Sequence, residues 1–392
     1  MKNNNEPKLR YPEFTDAWEK CKLGDVAEFI NGKAYKQEEL LNEGKYKVVR
    51  VGNFNTNEHW YYSNLELENN KYMVAGDLLY LWATDFGPKF WAGEKAIFHY
   101  HIWKLELNYK IIDKNYLYVW LETDKEKIKQ STNGTTMVHV TKSTMEKRVL
   151  SFPTLPEQQK IGALFRRLDR LITLHKRKWD DVILLKKALL QKMFPENDER
   201  LPEIRFPEFS GDWEKCKLGD LGTIEMNKRI FKEQTSTIGE IPFYKIGTFG
   251  GKADAFISKE LFEEYKSKYP YPNKGDLLIS ASGSVGKVVE YSGKDEYFQD
   301  SNIVWFNHNG KLNNLFLKQF YSHVQWEGLE GSTIKRLYNK TILGTQISFP
   351  SLPEQQKIGT FFRRLDRLIS HHQQQYEHYQ LLKKALLQQM FI

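Results

Sequence analysis

Two segments of the chain carry apolar residues at a seven-residue spacing. They lie at residues 156–194 and 353–391, and each opens on Pro-Glu. The heptad spacing predicts two α-helices that pack together as a coiled coil. Proline is tolerated in a first helical turn, and the glutamate after it, Glu157 or Glu354, favours the positive end of the helix dipole. At 1.5 Å per residue, each predicted helix is roughly 55 Å long.

The predicted coiled-coil seam consists of residues at the first and fourth heptad positions. In the first helix these are Ile161, Leu164, Leu168, Leu171, His175, Val182, Leu185 and Leu189. In the second helix they are Ile358, Phe361, Leu365, Leu368, His372, Tyr379, Leu382 and Leu386. Lys178 and Gln375 join the two histidines to make the centre of the seam polar. This pattern fits either a loosely packed, wet centre or a polar lock that sets the helix register.

The two helical segments are near copies within a duplicated chain. SFPTLPEQQKIG starts at Ser151 and SFPSLPEQQKIG at Ser348, a displacement of 197 positions. A second pair, LRYPEFTDAWEKCKLGD and IRFPEFSGDWEKCKLGD, starts at Leu9 and Ile204. Only the short polar linker PENDERLPE follows the first helix, so the second helix is expected to run back along the first. We therefore predict an antiparallel pair with a pseudo-twofold axis and one insert at each end.

Two inserts of similar length, residues 9–150 and 204–347, alternate with the helical segments. Both mix short β-type runs with turns and a few helices. They share the sequence GDLL, in AGDLLYL from Ala75 and in KGDLLIS from Lys274, and diverge directly after it. A common skeleton with different loops is typical of two recognition surfaces on one fold.

The loops of both inserts interleave aromatic, hydroxyl, amide and basic side chains, which are the types that contact bases and phosphates. In the first insert the candidates for DNA binding are Arg50, Asn53, Asn55, Trp82, Thr84, Phe86, Lys89, Trp91, Thr135, Thr136, His139 and Lys142. In the second insert they are Lys228, Arg229, Lys245, Thr248, Ser280, Ser282, Ser284, Lys287, Thr333, Lys335 and Arg336. Any one of them is also explained as a core aromatic or a solvated surface residue. DNA binding is therefore predicted for each set of loop residues as a whole.

Composition places the chain among folded proteins with a basic balance. Hydrophobic residues make up 40% of the 392 residues, and the net charge is +8. Residues 157–193 carry ten basic and four acidic side chains, and residues 354–392 carry six and three, so the helical segments hold the positive charge. This charge is either a solvated helix face or a surface for an acidic partner such as DNA.

The sequence contains no segment typical of a signal peptide or a membrane span, which predicts a cytoplasmic protein. Two cysteines, Cys21 and Cys216, occupy equivalent places in WEKCKLGD, and structural thiols are favoured over a disulfide. A metal site at His175, His371 and His372 is disfavoured because no carboxylate or thiol completes the set.

Catalytic motifs are absent from the sequence. There is no GxxxxGK[ST] phosphate loop, no HExxH, no GxSxG and no Asn-Pro-Pro-Tyr or Asp-Pro-Pro-Tyr run. An autonomous nuclease or methyltransferase would need such motifs. A coiled-coil adaptor that binds proteins without reading DNA stays open as an alternative, although it leaves the divergent loops unexplained.

The duplicated LPEQQKIG before a long helix, with GDLL and SGSVGKV in the inserts, closely resembles the DNA-specificity subunit of type I restriction-modification systems. The resemblance covers essentially the whole chain. It implies an α+β fold in which two pseudo-symmetric α/β target-recognition domains, residues 1–150 and 196–347, are separated by a long antiparallel two-helix coiled coil. Residues 151–195 and 348–392 would be the helical spacers that form it.

The resemblance also implies a non-catalytic subunit that serves phage defence. Each recognition domain would read one half of a bipartite, asymmetric target in double-stranded DNA. The helices would set the gap between the halves and dock two modification (methyltransferase) subunits and, through them, two restriction subunits. S-adenosylmethionine, ATP and magnesium would belong to those partners, and this chain is expected to hold no cofactor or metal.

Overall fold

The computed structural model describes residues 7–83, 86–131, 140–196, 199–324, 326 and 336–391. Helices and sheets are mixed, which confirms the α+β class predicted from the sequence. The chain divides into two units, Met1–Lys176 with Gln374–Ile392, and Arg177–Gln373. Both divisions fall inside the predicted helical segments, so each unit combines one insert with part of each helix. Each unit is described by itself below.

The first insert contains short strands and a few helices, and the first long helix follows it. The strands are β1 (Glu19–Lys22), β2 (Ala27–Asn31), β3 (Tyr46–Val49), β4 (Tyr61–Ser63), β5 (Tyr72–Met73), β6 (Leu78–Leu81), β7 (Gly87–Phe90), β8 (Ala96–Phe98), β9 (Ile102–Leu107) and β10 (Val149–Phe152). The helices are α1 (Leu23–Val26), α2 (Lys114–Ser131), α3 (Lys142–Glu146) and α4 (Leu155–Met193). The strands form the sheets β2-β9-β6-β7 and β4-β3-β8-β5 and the pair β1-β10.

The second insert and the long helix after it repeat this plan with changes. Its strands are β11 (Glu214–Lys217), β12 (Thr223–Glu225), β13 (Ile241–Tyr244), β14 (Ala255–Ile257), β15 (Leu277–Ser280), β16 (Val288–Glu290), β17 (Tyr297–Phe298), β18 (Ile303–Asn307) and β19 (Gln346–Phe349). The helices are α5 (Leu218–Leu221), α6 (Lys259–Lys268), α7 (Asn314–His323), α8 (Asn339–Gly344) and α9 (Leu352–Met390). The sheets are β12-β18-β15-β16 and β14-β13-β17, with the pair β11-β19.

The four-stranded sheet with GDLL in its central strand has the same order in both units. The motif forms a tight turn before β6 and before β15, with Gly76 and Gly275 at φ angles of 93° and 94° that favour glycine. The aspartate of the motif closes each turn, because Asp77 Oδ2 accepts from Val74 N at 2.8 Å and Asp276 Oδ2 accepts from Asn273 N at 2.7 Å. The shared motif thus sets the central strand of each recognition sheet.

The glutamate of LPEQQKIG is buried and joins each long helix to the start of its own unit. Glu157 is fully buried and receives two hydrogen bonds from Arg10, at 2.8 and 2.7 Å. Glu354 receives the same pair from Arg205, both at 2.7 Å. A buried carboxylate needs such partners, and the planar guanidinium supplies both bonds in one plane. The arginine of LRYPEF or IRFPEF therefore anchors the helix.

The glutamine after this glutamate caps a second helix of the same unit. Gln158 Oε1 accepts from Asp113 N at 2.8 Å, just before α2, and its amide donates to Ile111 O at 2.9 Å. Gln355 Oε1 likewise accepts from Asn313 N at 2.8 Å, at the N-cap of α7. Much of the duplicated motif is thus used in contacts within each unit.

The glycine of LPEQQKIG permits a close approach between helices. A Cβ atom at Gly162 would lie 2.8 Å from Tyr116 N, and one at Gly359 would lie 2.8 Å from Phe316 N. These are backbone atoms of α2 and α7, which cannot move aside as a flexible side chain could. The site of contact therefore requires a residue without a side chain.

Within each unit the long helices pack in opposite directions. In the first unit the N-terminal half of α4 shares a core with the C-terminal end of α9, and Lys383 Nζ donates to Asp169 Oδ1 at 2.6 Å. In the second unit the C-terminal half of α4 packs against the beginning of α9, and Lys186 Nζ donates to Asp366 Oδ1 at 2.6 Å. The two ion pairs are repeat equivalents. The packing agrees with the antiparallel pair predicted from the sequence.

The buried face of the helices is wider than the heptad seam and departs from it in places. Of the predicted seam, Leu185 and Leu368 are 49% and 45% exposed. Phe165 and Phe362, which the heptad pattern left out, are fully buried in the cores of their units. The helices pack against the insert cores as well as against each other, so apolar residues are needed on two faces. His175 lies in the contact, with its ring 5.6 Å from that of Tyr379.

Two smaller features complete the fold. Cys21 and Cys216 are free thiols in the equivalent strands β1 and β11, and burial raises the pKa of both. Among the helices of the described residues, none combines the length and the apolar character that crossing a membrane requires.

Candidate nucleic-acid interface

The second unit gathers loops at one end of the sheet β12-β18-β15-β16. Neighbouring strands are antiparallel, so β12 and β15 end where β16 and β18 begin. Strand β13 runs parallel to β17 and brings its own loop to the same end. We call this surface the second edge, and its segments are residues 226–230, 245–251, 281–287, 299–302 and 336.

Side-chain and backbone contacts hold the second edge together. Ala281 N donates to Asn302 O at 2.7 Å, and Ile246 N donates to Gln299 Oε1 at 2.9 Å. Ser282 forms a β-bridge with Arg336, which lies far away in sequence. The topology therefore brings the described candidates of the second insert to one surface. These candidates are Lys228, Arg229, Lys245, Thr248, Ser280, Ser282, Ser284, Lys287 and Arg336.

Three of the predicted hydroxyl groups face inward and shape the loops. Ser280 is buried, and its Oγ accepts from Lys287 N at 2.9 Å and donates to the carbonyl of Ser284. Ser282 is buried as well, with its Oγ bonded to Asn302 Oδ1 at 2.6 Å. The hydroxyl of Thr248 bonds to the backbone of Lys245. These side chains support the loops of the surface through internal hydrogen bonds.

The exposed cations of the second edge are held in different ways. Lys287 Nζ donates to the carbonyl of Phe249 at 2.6 Å, and Lys245 pairs with Asp254 at 2.8 Å. Lys228 lies over the ring of Tyr269 at 5.0 Å. Arg229 donates to Asp300. Ser284 and Arg336 are also exposed, whereas the candidates Thr333 and Lys335 lie outside the described residues.

The first unit has an equivalent surface with different chemistry. Strands β2 and β6 end where β7 and β9 begin, and β3 runs parallel to β8. This topology brings together residues 32–36, 50–55, 82–83, 86 and 99–101, which we call the first edge. Of the candidates, Arg50, Asn53, Asn55, Trp82 and Phe86 lie there.

Aromatic rings dominate the first edge. Trp82 Nε1 donates to Tyr100 O at 2.8 Å, and its ring stacks on Trp103 at 5.8 Å and meets His101 edge-on at 4.8 Å. The guanidinium of Arg50 lies 5.3 Å from the centre of the Tyr61 ring, a cation–π distance. The half-buried rings thus form a fixed platform beside one arginine.

Two candidates of the first edge serve the fold. Asn53 uses both amide N–H groups for the carbonyls of Asn57 and His59, at 3.1 and 2.9 Å, and its Oδ1 accepts from Arg50 N. Phe86 is only 4% exposed and belongs to the main core. Asn55 is exposed at the end of the same loop as Asn53.

The other candidates of the first insert lie away from the first edge or outside the described residues. Lys89 stands inside β7 opposite Leu79, and Trp91 donates to Glu94 O at 2.7 Å. Lys142 pairs with Glu146 within α3. Thr84, Thr135, Thr136 and His139 lie outside the described residues.

The sequence pattern missed the turn that precedes β9 or β18. In the first unit it carries His99, Tyr100 and His101, and in the second it carries Asp300 and Asn302. Burial, with smaller effects of His101 and Arg50, lowers the pKa of His99 to about 4, so its imidazole is neutral at pH 7. The sequence does contain a signal for this turn. FHYH and QDSN occupy equivalent positions in the two inserts, and each lies directly before an apolar run that forms a strand.

The two edges therefore occupy equivalent positions on the equivalent sheets of the two units, and they present different side chains. The first offers aromatic rings, imidazoles, one arginine and the lysines Lys33 and Lys36, and the second offers lysines, arginines and a carboxylate. Within the described ranges, no cluster of histidine, cysteine, aspartate or glutamate side chains could hold a metal ion. The arrangement suits recognition of a polyanion at two dissimilar surfaces.

Comparison with known proteins adds independent evidence. Two copies of a family model described as the type I restriction modification DNA specificity domain match residues 15–183 and 210–378. A Haemophilus influenzae protein named as a type I restriction enzyme specificity subunit, S.HindORF215P, is 39% identical over 64% of this chain. That alignment covers 66% of the relative, just under two thirds of its length.

Two further proteins resemble nearly the whole chain. The MjaVIII type I restriction enzyme specificity subunit of Methanocaldococcus jannaschii is 25% identical over 97% of this chain and 92% of its own length. The crystal structure of the S subunit of a type I restriction-modification system from M. genitalium superposes with a TM-score of 0.68 at 16% identity and covers 99% of each chain. This last likeness is one of fold.

Proposed function

Because the chain belongs to the type I restriction-modification DNA specificity family, we propose that each of its two units reads one half of a bipartite target in double-stranded DNA. The observation that carries this proposal is the pair of edges. The same type of four-stranded sheet occurs once in each unit, and the loops at the corresponding ends of the two sheets carry dissimilar exposed side chains. Two unlike surfaces predict two unlike half-sites, and hence an asymmetric target.

The chemistry of the edges supports DNA as the ligand. Lysines and arginines neutralise phosphates and release counterions, while arginine and amide groups also read base edges in the major groove. At the second edge Lys228, Arg229, Lys287 and Arg336 are exposed on loops that buried hydroxyls and backbone bonds hold in place. Supported loops favour specific contacts, because the side chains need little ordering on binding.

We propose further that the chain is non-catalytic and docks two modification (methyltransferase) subunits and, through them, restriction subunits. The names of the Haemophilus and Methanocaldococcus relatives, specificity subunits of type I restriction enzymes, support this. S-adenosylmethionine, ATP and magnesium would then be bound by the partners. The sequence agrees, since it contains none of the catalytic motifs that such chemistry uses.

The proposed function is tested by selection from random DNA. The full chain, assembled with its modification subunits, is mixed with duplexes that carry a randomised central region, and the retained duplexes are sequenced. We expect two short motifs separated by a run of fixed length without base preference. Retained DNA without any common motif would contradict sequence reading. An assembly that binds its partner subunits and retains no DNA would favour the alternative, a coiled-coil adaptor.

We propose that the helices set the length of the gap between the half-sites. The prediction is that four residues inserted after Lys176 and four after Gln373 lengthen the gap by about two base pairs, since one helical turn adds about 6 Å and each base pair spans about 3.4 Å. These points are the divisions between the units, so both cores stay intact. Substituting four residues at the same points without changing the length is the control. A gap that stays the same after insertion would contradict this role.

A further inference from the structure

Resting on the proposed function, we infer that Arg229 reads a guanine in the half-site of the second unit and that Asp300 is the residue that positions it. Arg229 follows β12, and Asp300 precedes β18, the neighbouring strand in the sheet. The two residues therefore meet at the second edge. Arg229 Nε donates to Asp300 Oδ2 at 2.8 Å.

The contact with Asp300 leaves the Nη1 and Nη2 groups of the guanidinium available for a base. The Arg229 side chain is 60% exposed, and its bond to Asp300 uses Nε. Among the described residues, no other side chain or carbonyl accepts a hydrogen bond from this guanidinium. The four N–H groups on Nη1 and Nη2 lie in the guanidinium plane and are not used by the bond to Asp300. Two of them match the O6 and N7 acceptors of guanine in the major groove.

The carboxylate partner is itself fixed. The Asp300 side chain is only 15% exposed, and Ser301 Oγ donates to the same Oδ2 at 3.3 Å. Asn302 N donates to Asp300 O at 2.6 Å within a tight turn, where Ser301 has a φ of 59°. A carboxylate held in this way fixes the position of the Arg229 guanidinium before DNA binds. The ordering cost of the long side chain on binding is therefore reduced.

The other cations of the second edge lack this combination. Lys245 and Lys287 carry single ammonium groups that are bonded to Asp254 and to the Phe249 carbonyl. A lysine also has no planar fork, so it binds a phosphate more readily than it distinguishes one base from another. Arg336 is exposed and has no carboxylate partner among the described residues. Arg229 is thus the cation whose geometry fits base reading.

The test compares variants in the selection from random duplex DNA, with the full chain and its modification subunits. We expect the wild type to prefer guanine at one position of one half-site. Arg229→Lys keeps the charge and removes the fork, and it should reduce that preference by about tenfold or more. Asp300→Asn should reduce the same preference, and the double variant should lose no more than Arg229→Lys alone, because both changes act on one contact. The other half-site should not change.

Lys228→Ala is the matched control, because it removes the neighbouring positive charge and leaves the Arg229–Asp300 bond intact. It should lower the affinity for all duplexes alike and reduce the dependence of affinity on salt. The inference is overturned if Arg229→Lys keeps every base preference while Arg229→Ala weakens all duplexes equally, the result expected of a phosphate contact. A lower melting temperature of Asp300→Asn with an unchanged preference would remove the positioning role. A wild type without any preference would instead remove the proposed function itself.

Discussion

Exchange of residues 204–347 for the matching segment of another family member is expected to change one half of the DNA target and to leave the other half unchanged. The segment contains every described residue of the second edge and none of the first. Because the two edges lie on separate copies of the sheet, each with its own core, a new second edge brings new contacts without disturbing the first. The new half-site should be the one that the donor protein reads through its own second insert.

The exchange should preserve folding because its ends fall in shared structure. The second end falls within β19, after Ile347, so the pairing of β11 with Ser348 and Phe349 re-forms when the donor carries the same EKCK strand. The arginine of IRFPEF is likewise kept when the donor carries that motif, so its bond to Glu354 re-forms. Sequencing of methylated sites in cells that express the chimera gives the readout. Exchange of residues 9–150 is the reciprocal control and should alter the opposite half. Both halves changing together in either chimera would show that the edges do not read independently.

Arg205→Ala is expected to lower the free energy of unfolding by about 3–5 kcal/mol, the range for breaking a buried ion pair from one side. Glu354 is 1% exposed, so the variant leaves its carboxylate out of water and without the two bonds that Arg205 supplies. The lost bonds from Arg205 to the carbonyls of Ser210 and Gly211 add to the effect. Urea unfolding followed by circular dichroism measures it.

Two comparisons isolate the cause of that loss. Lys357→Ala breaks the ion pair between Lys357 and Glu208, two side chains that are both nearly half exposed. This change should lower the free energy of unfolding by at most about 1 kcal/mol. Replacing Arg205 by methionine and Glu354 by leucine together removes both charges and should recover much of the stability. A double variant as unstable as Arg205→Ala would show that the hydrogen-bond geometry, and not the unpaired charge, is what matters.

The long helices and their direction followed from the sequence because heptad spacing and a short linker are local signals. The predicted set of buried helix residues was less complete, because it left out Phe165 and Phe362. A heptad template assumes one partner helix, whereas these rings belong to cores that also contain buried residues of α2 and α7. Leu185 and Leu368 fit the template and are nonetheless substantially exposed. The extent of the buried face depends on tertiary partners that the spacing does not reveal.

The candidate site was predictable as a set of loops and less so residue by residue. Strand order decides which loops meet, and it depends on pairings between distant segments, such as β12 with β18. The type of a residue also does not reveal which way its side chain points. Ser280 and Asn53 are candidates for DNA contact in the sequence, and in the structure their side chains form hydrogen bonds within their own loops. Asp300 is not among the candidates from the sequence, and in the structure it accepts a hydrogen bond from Arg229.

The first unit depends on residues 374–391, which are translated long after the rest of it. Phe391 stacks on Tyr116 at 5.5 Å, and Leu9 N donates to Gln389 O at 2.9 Å. While the ribosome is still making the second insert, the first unit has an open apolar face that nothing in its own stretch of chain covers. A nonsense codon or frameshift before residue 374 therefore damages both halves of the molecule at once.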